Sequence, residues 1–206
     1  MRTETITRTF YTFEELTEEQ QKKAVELVRE REEEHLNNWG LPFQREALAS
    51  ILEGCKFFGY ELKKYSFDFS GYSSSDWTLK YEYDNEPENL KTTLRSVTNA
   101  FNLFLFDCKE YKKNGKSRKS RILSKAKDCP FTGVCYDEDF LDPFREFLKK
   151  PYDTTLRELV DDGINAVLKD TASEWKYQIG EEAARERIES EGTEFELDED
   201  GDITIC

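Results

Sequence analysis

The sequence is poor in several residues that commonly carry chemistry. Its 206 residues include one His, one Met, five Pro and five Cys. The single histidine, His35, stands near the end of a glutamate-rich stretch. It is a candidate general base, but a lone histidine in that setting reads more simply as a surface residue. The cysteines are Cys55, Cys108, Cys129, Cys135 and Cys206. Their odd number and wide scatter do not form a secreted disulfide framework. Only Cys129 and Cys135 are near neighbours, and zinc knuckles need closer pairs and a second pair. Free thiols in a reducing cytosol are therefore expected, with no metal and no cofactor. Long hydrophobic runs are also missing: the longest nearly apolar stretch, Ala100 to Phe106, is broken by Asn102 and is too short to span a membrane. The opening MRTETITRTFYTF lacks the apolar core of a signal peptide. A soluble, cytoplasmic protein with no membrane partner is expected. No phosphate-binding G-x-x-x-x-G-K-[ST], no G-x-G-x-x-G after a strand and no G-x-S-x-G elbow occurs.

Charge and aromatic residues are what the chain has in abundance. Asp and Glu number 44 against 30 Lys and Arg, a net charge of -14. Aromatics reach 14%, which argues against a disordered acidic chain, because such chains lack the large side chains that build a core. The length fits one domain. The acidity disfavours a protein that wraps nucleic acid with its whole surface, since phosphate binding needs cations.

Periodicity predicts an α+β fold. Thr3 to Tyr11 reads as a strand. Thr17 and Gln20 form a capping-box signature for a helix to about Leu36, with Ala24, Leu27, Val28 and Leu36 inward. A second helix spans about Phe43 to Phe58 and ends at Gly59. Tyr60 to Ser70 and Trp77 to Tyr83 alternate through aromatics and predict a hairpin. Apolar residues from Leu90 to Tyr111 recur at helical spacing and predict a central buried helix. Lys109 to Lys127 holds nine basic residues and one acidic residue, and reads as a basic mobile loop over about 112–128. Two further helices follow, from Asp139 to Lys149 and from Thr154 or Thr155 to about Ile179. A further helical turn reaches Ile188, and Asp-Gly at 200–201 marks a terminal hairpin within the acidic segment 181–206. The expected architecture is a single domain, 1–206: a small antiparallel sheet, built from the aromatic hairpin and the N-terminal strand, packed on several helices. The terminal hairpin either extends that sheet or stands apart.

Carboxylates supply the remaining candidates for chemistry. Asp137, Glu138, Asp139 and Asp142 could cluster, joined by Asp161 and Asp162, although Asp139 also suits a helix N-terminus, which is the simpler reading. Asp198, Asp200 and Asp202 imitate part of a Ca²⁺ loop but lack its closing Glu and flanking helices, so a solvated turn is expected. The charge pattern says more. Glu181 to Asp202 holds eleven acidic and two basic residues, and Glu14 to Glu34 nine and four. Such clusters steer cationic partners. Glu30, Glu33, Glu34, Glu189, Glu191, Glu194 and Glu196 are the candidate partner-binding residues, able to stand in for phosphates in a Lys/Arg-lined groove. Lys116, Arg118, Lys119 and Arg121 are candidates for contact with phosphate or an acidic partner. That segment could equally dock on the chain's own acidic ends. It lacks interleaved aromatics, so base reading is not expected.

Both chain ends carry a resemblance. T-F-Y-T-F-E-E-L-T-E-E-Q-Q-K-K-A near the start, and Trp175 to Ala183, Ile188 to Phe195 and Leu197 to Gly201 near the close, resemble a family of small acidic proteins encoded by bacteriophages, prophages and plasmids, some labelled antitoxin-like. The likeness covers roughly a quarter of the chain. The chain departs from the family at Gly192 and at the basic insertion around Lys116 to Lys127. The resemblance implies a mobile-element origin and a bacterial host cytoplasm, and it carries over no catalytic residue. The expected function is a phage-derived, non-enzymatic inhibitor of a host defence nuclease or other nucleic-acid-binding defence protein, of the anti-CRISPR or anti-restriction kind. The alternatives are an antitoxin-like protein that neutralises a toxin, and an enzyme with an unrecognised carboxylate site.

Overall fold

Thr17 starts the first helix by reciprocal capping: its backbone N–H donates to Gln20 Oε1 at 2.9 Å, and the Gln20 N–H returns to Thr17 Oγ1 at 3.4 Å. The computed structural model describes residues 8–39, 42–69, 77–85, 106–126, 129–198 and 201–206. In chain order the elements are β1 (Phe10–Tyr11), α1 (Glu18–Trp39), α2 (Pro42–Phe57), β2 (Glu61–Phe69), β3 (Trp77–Asn85), β4 (Phe106–Lys113) and β5 (Lys116–Ala126). They are followed by α3 (Tyr136–Lys149), α4 (Leu156–Gln178), α5 (Glu181–Glu191), β6 (Phe195–Leu197) and β7 (Ile203–Ile205). All the pairings among the described residues are antiparallel, and the fold is α+β with a C-terminal hairpin.

The chain separates into two compact units. One unites residues 1–41 with 174–206; the other holds 42–173.

In the first unit β1 pairs with β6, which pairs with β7, giving the order β1-β6-β7. The N-terminal strand was expected beside the aromatic hairpin; it lies instead against the terminal one, with Phe10 opposite Glu196 and Tyr11 opposite Phe195. Helices α1 and α5 cover this sheet, and Ala24, Val25, Val28, Ala184, Ile188, Phe195 and Ile203 are buried between them. Leu27 is only half-buried, and Val25 takes an inward place that the expected stripe omitted. Gly192 ends α5 at φ 61°, the left-handed geometry that glycine adopts without a Cβ penalty.

In the second unit the core is aromatic. Phe58 and Phe144 stack with centroids 4.2 Å apart and planes 9° from parallel. Phe140 adds a further ring 6.0 Å from Phe144. Gly163 brings α4 against α3: a Cβ there would lie 2.6 Å from the Phe140 carbonyl oxygen. Helix α4 buries Leu156, Leu159, Val160, Ile164, Val167, Leu168 and Ala172 in this unit. Strand β3 alternates as read, with Leu79 buried, Tyr81 and Tyr83 half-buried, and Lys80, Glu82 and Asp84 exposed. Strand β2 departs from its expected alternation. Lys64 has φ 49°, a bulge falls between Lys63 and Ser66, and Tyr65 is turned outward.

Two expectations over 90–128 change. Most of the predicted helix Leu90–Tyr111 falls in 86–105, outside the described residues, but Phe106–Tyr111 belong to strand β4 rather than to a helix. The basic segment, read as a loop, is largely the hairpin β4–β5. Asn114 (φ 54°) and Gly115 (φ 73°) both take positive φ, the signature of a tight hairpin turn.

Candidate partner-binding face

The first unit gathers both acidic stretches of the sequence. Residues 1–41 and 174–206 together contain 22 acidic and 9 basic residues, a charge of -13, against 22 and 21 in the other unit, a charge of -1. Nearly all the excess charge therefore belongs to one unit built from the two chain ends.

That unit carries a cleft of about 400 Å³ beside α1 and α5. Its walls include Glu34 and Glu191, two of the candidate partner-binding residues, together with Arg31, Glu32, His35, Arg187 and Thr193. Arg187 organises it. One guanidinium nitrogen donates to Gln178 Oε1 at 2.5 Å and lies 3.4 Å from Glu32 Oε1, and the other reaches the Gln178 carbonyl at 3.3 Å. Arg29 works similarly from α1, donating to the Ile179 carbonyl at 2.8 Å. These bonds satisfy carbonyl and amide groups at the corner between α4 and α5. The cleft is therefore mixed in charge: Glu32 has a cation beside it, whereas the Glu34 and Glu191 side chains are exposed on its rim.

A second hollow of about 410 Å³ opens beside α1 and β7, lined by Lys23, Glu26, Leu27, Glu30, Asp202 and Ile203. Glu30 is exposed there, and Lys23 lies 3.5 Å from Asp202. Glu33 is half-buried. Glu189 and Glu194 are exposed on α5 and on the link to β6. Glu196 differs from its neighbours. It sits half-buried in the middle strand with Arg8 3.4 Å away, so part of its charge is neutralised. Thus Glu30, Glu34, Glu189, Glu191 and Glu194 present open carboxylates on one unit. The sequence offers His35 as a surface residue or a base rather than as part of a cleft, and does not single out Arg31, Glu32, Arg187 or Thr193. The Glu32–Arg187 pairing joins residues 155 positions apart, and no local pattern announces it.

The other carboxylate candidates do not form one cluster. Asp137 is fully buried and closes the 131–133 loop, accepting from the N–H groups of Phe131 (2.8 Å) and Thr132 (2.7 Å) and from the Thr132 hydroxyl (2.9 Å). Asp161 accepts from Tyr81 OH at 2.6 Å and Tyr83 OH at 2.5 Å, while Arg157 lies over the Tyr83 ring. Burial first, and then those bonds to Asp161, push both phenols well above their usual range. Burial likewise raises the Cys55 thiol to about 12, so it is inert as a nucleophile at neutral pH. Asp139 is half-buried and raised to about 6 by burial, with Asp170, Asp142 and Glu138 adding repulsion. Among the described residues no group of three or more His, Cys, Asp or Glu is placed to hold a metal ion. Asp198 Oδ1 accepts from the Asp202 N–H at 2.7 Å, which assigns it to the terminal turn; Asp200 lies outside the described residues.

Lys116 and Arg118 are exposed on β5. Lys119 and Arg121 belong to the same strand. No described helix is long and apolar enough to cross a membrane.

No family model matches this chain, and neither the curated proteins nor the solved structures give a match.

Proposed function

We propose that the protein is a non-enzymatic inhibitor, derived from a phage or related mobile element, that binds a host nucleic-acid-handling defence protein such as a CRISPR or restriction nuclease. It would act in the bacterial cytoplasm through the open carboxylates of its first unit, which take the place of phosphates in a cationic groove. The observation that carries this reading is the segregation of charge, with -13 of the net -14 on one unit. Fixed carboxylates on a folded surface raise the encounter rate with a cationic groove and disfavour anionic competitors. The likeness of the chain ends to mobile-element proteins supports the choice of partner.

The test combines two assays. Purified protein is added to nuclease assays of a CRISPR effector and a restriction enzyme from the presumed host, and the gene is expressed in a defence-positive host challenged with phage. Inhibition and phage protection are expected. Both should fall at least tenfold when Glu30, Glu34, Glu189, Glu191 and Glu194 are replaced by Lys with the circular dichroism spectrum retained. Absence of inhibition and of protection would end this reading. Recovery of a small basic toxin as the stable partner would replace it with the antitoxin one.

A further inference from the structure

We propose that the tip of the β4–β5 hairpin is a nucleic-acid contact that engages the phosphodiester backbone. The register decides which side chains share a face. Lys113 is directly opposite Lys116, and Tyr111 is directly opposite Arg118. Side chains two apart on a strand point the same way, so these four residues form one face of the ribbon. All four are exposed. The single acidic residue of the tip, Glu110, is one step out of phase and belongs to the opposite face, where it accepts from the Ser117 hydroxyl at 3.2 Å. One face thus holds three cations and an exposed aromatic ring with no carboxylate at the tip.

This arrangement is costly unless an anion is present. Like charges directly opposite across a strand pair destabilise the ribbon, and the Lys113–Lys116 pair is such a case. A polyanion lying along the face would relieve it. The ribbon from Phe106 to Ala126 holds eight basic and two acidic residues, +6, within a unit whose total is only -1. The local field is therefore not overwhelmed by its own unit. The tight Asn114–Gly115 turn holds the two lysines at the very end, where a two-stranded ribbon can enter a groove or lie along a strand. Cations beside an exposed aromatic ring are the combination that tracks a nucleic-acid backbone without reading sequence. This inference does not depend on the acidic face, and either can fail alone.

The experiment is fluorescence anisotropy with the full chain and two labelled probes of random sequence, a 20-nucleotide single strand and a 20-base-pair duplex, from 50 to 200 mM salt. Binding to at least one probe is expected, and the probe preferred identifies the source of the phosphates. Three neutralised phosphates imply an affinity loss of about 40-fold across that salt range on duplex. The triple variant Lys113→Gln, Lys116→Gln, Arg118→Gln should flatten the dependence of log K on log salt by about 2.7. The charge-conserving pair Lys113→Arg, Lys116→Arg should bind as the parent does, which separates lost charge from lost fold. No binding at 50 mM salt, an unchanged slope in the triple variant, or equal displacement by polyglutamate at matched charge would each overturn the proposal.

Discussion

The two units use the same amino-acid alphabet in opposite ways. The unit built from the chain ends has 7 of the 28 aromatic residues and almost the whole net charge; the unit of residues 42–173 has 21 aromatics and is nearly neutral. The first is held by a thin apolar layer of Ala, Val and Ile around Phe195, with ion pairs at its margins. The second is held by stacked rings, with a buried carboxylate and two phenols sharing another. Substitutions in the packed second unit should therefore be felt as stability, whereas those at the exposed carboxylates of the first should cost little stability.

The largest expected effect is at Asp137. Asp137→Ala removes the acceptor of three N–H groups, those of Phe131, Thr132 and Gly133, and one hydroxyl in a buried place, and should cost about 3 kcal/mol in chemical denaturation. Asp137→Asn keeps an acceptor oxygen and should cost less. A loss below about 1 kcal/mol for the alanine variant would mean that the loop finds other partners.

Two glycines sharpen the same contrast. Gly163→Ala drives a methyl group to 2.6 Å from the Phe140 carbonyl, and should cost about 2–3 kcal/mol because neither backbone can yield cheaply. Gly192→Ala meets no atom within 4 Å and loses only the ease of a left-handed φ, about 1 kcal/mol. Equal melting shifts for the two would break the comparison.

Much of this was legible in the sequence where the signal was local. The Thr17–Gln20 box, the buried face of α4 and the alternation of β3 follow from spacings of three, four and two. The partners of strands were not legible: β1 joins β6 across some 185 residues, and a period-2 pattern names no partner. In the basic segment the density of Lys and Arg hid a strand, because the alternation there has no apolar side to reveal it. The candidate site was half legible. Counting charge put Glu34 and Glu191 among the candidates, but only the tertiary structure shows that they line one cleft, that Arg187 lies beside Glu32 and that Arg8 lies against Glu196.

Asp139 gives the pH test in the second unit. Its folded pKa is raised from 3.8 to about 6, so between those values the folded state holds the proton more tightly than the unfolded state. Its contribution is therefore favourable at low pH and is lost as pH rises through about 6. Solvent screening at this half-exposed side chain reduces the full shift to about 1–2 kcal/mol. Asp139→Asn should stabilise the protein by that amount at pH 7.5 and flatten the dependence between pH 4 and 6.5. A variant no more stable than the parent at pH 7.5 would mean that neither burial nor the neighbouring carboxylates of Asp170, Asp142 and Glu138 disfavour its charge.

Salt should separate the units most gently. Screening weakens the marginal ion pairs of the first unit, Arg8–Glu196 and Lys23–Asp202, but exposed pairs of this kind contribute little. It also weakens the repulsion among 22 acidic residues that 9 basic ones only partly offset, which acts over the whole unit and is the larger sum. The net sign is stabilising. Raising salt from about 20 to 300 mM should slow hydrogen exchange in α1 and α5 by an amount equivalent to about 0.5 kcal/mol, while α2 and α3 change little. If α1 and α5 instead exchange faster, the ion pairs outweigh the repulsion, and the acidic surface is then part of what holds the unit together rather than a charge kept for a partner.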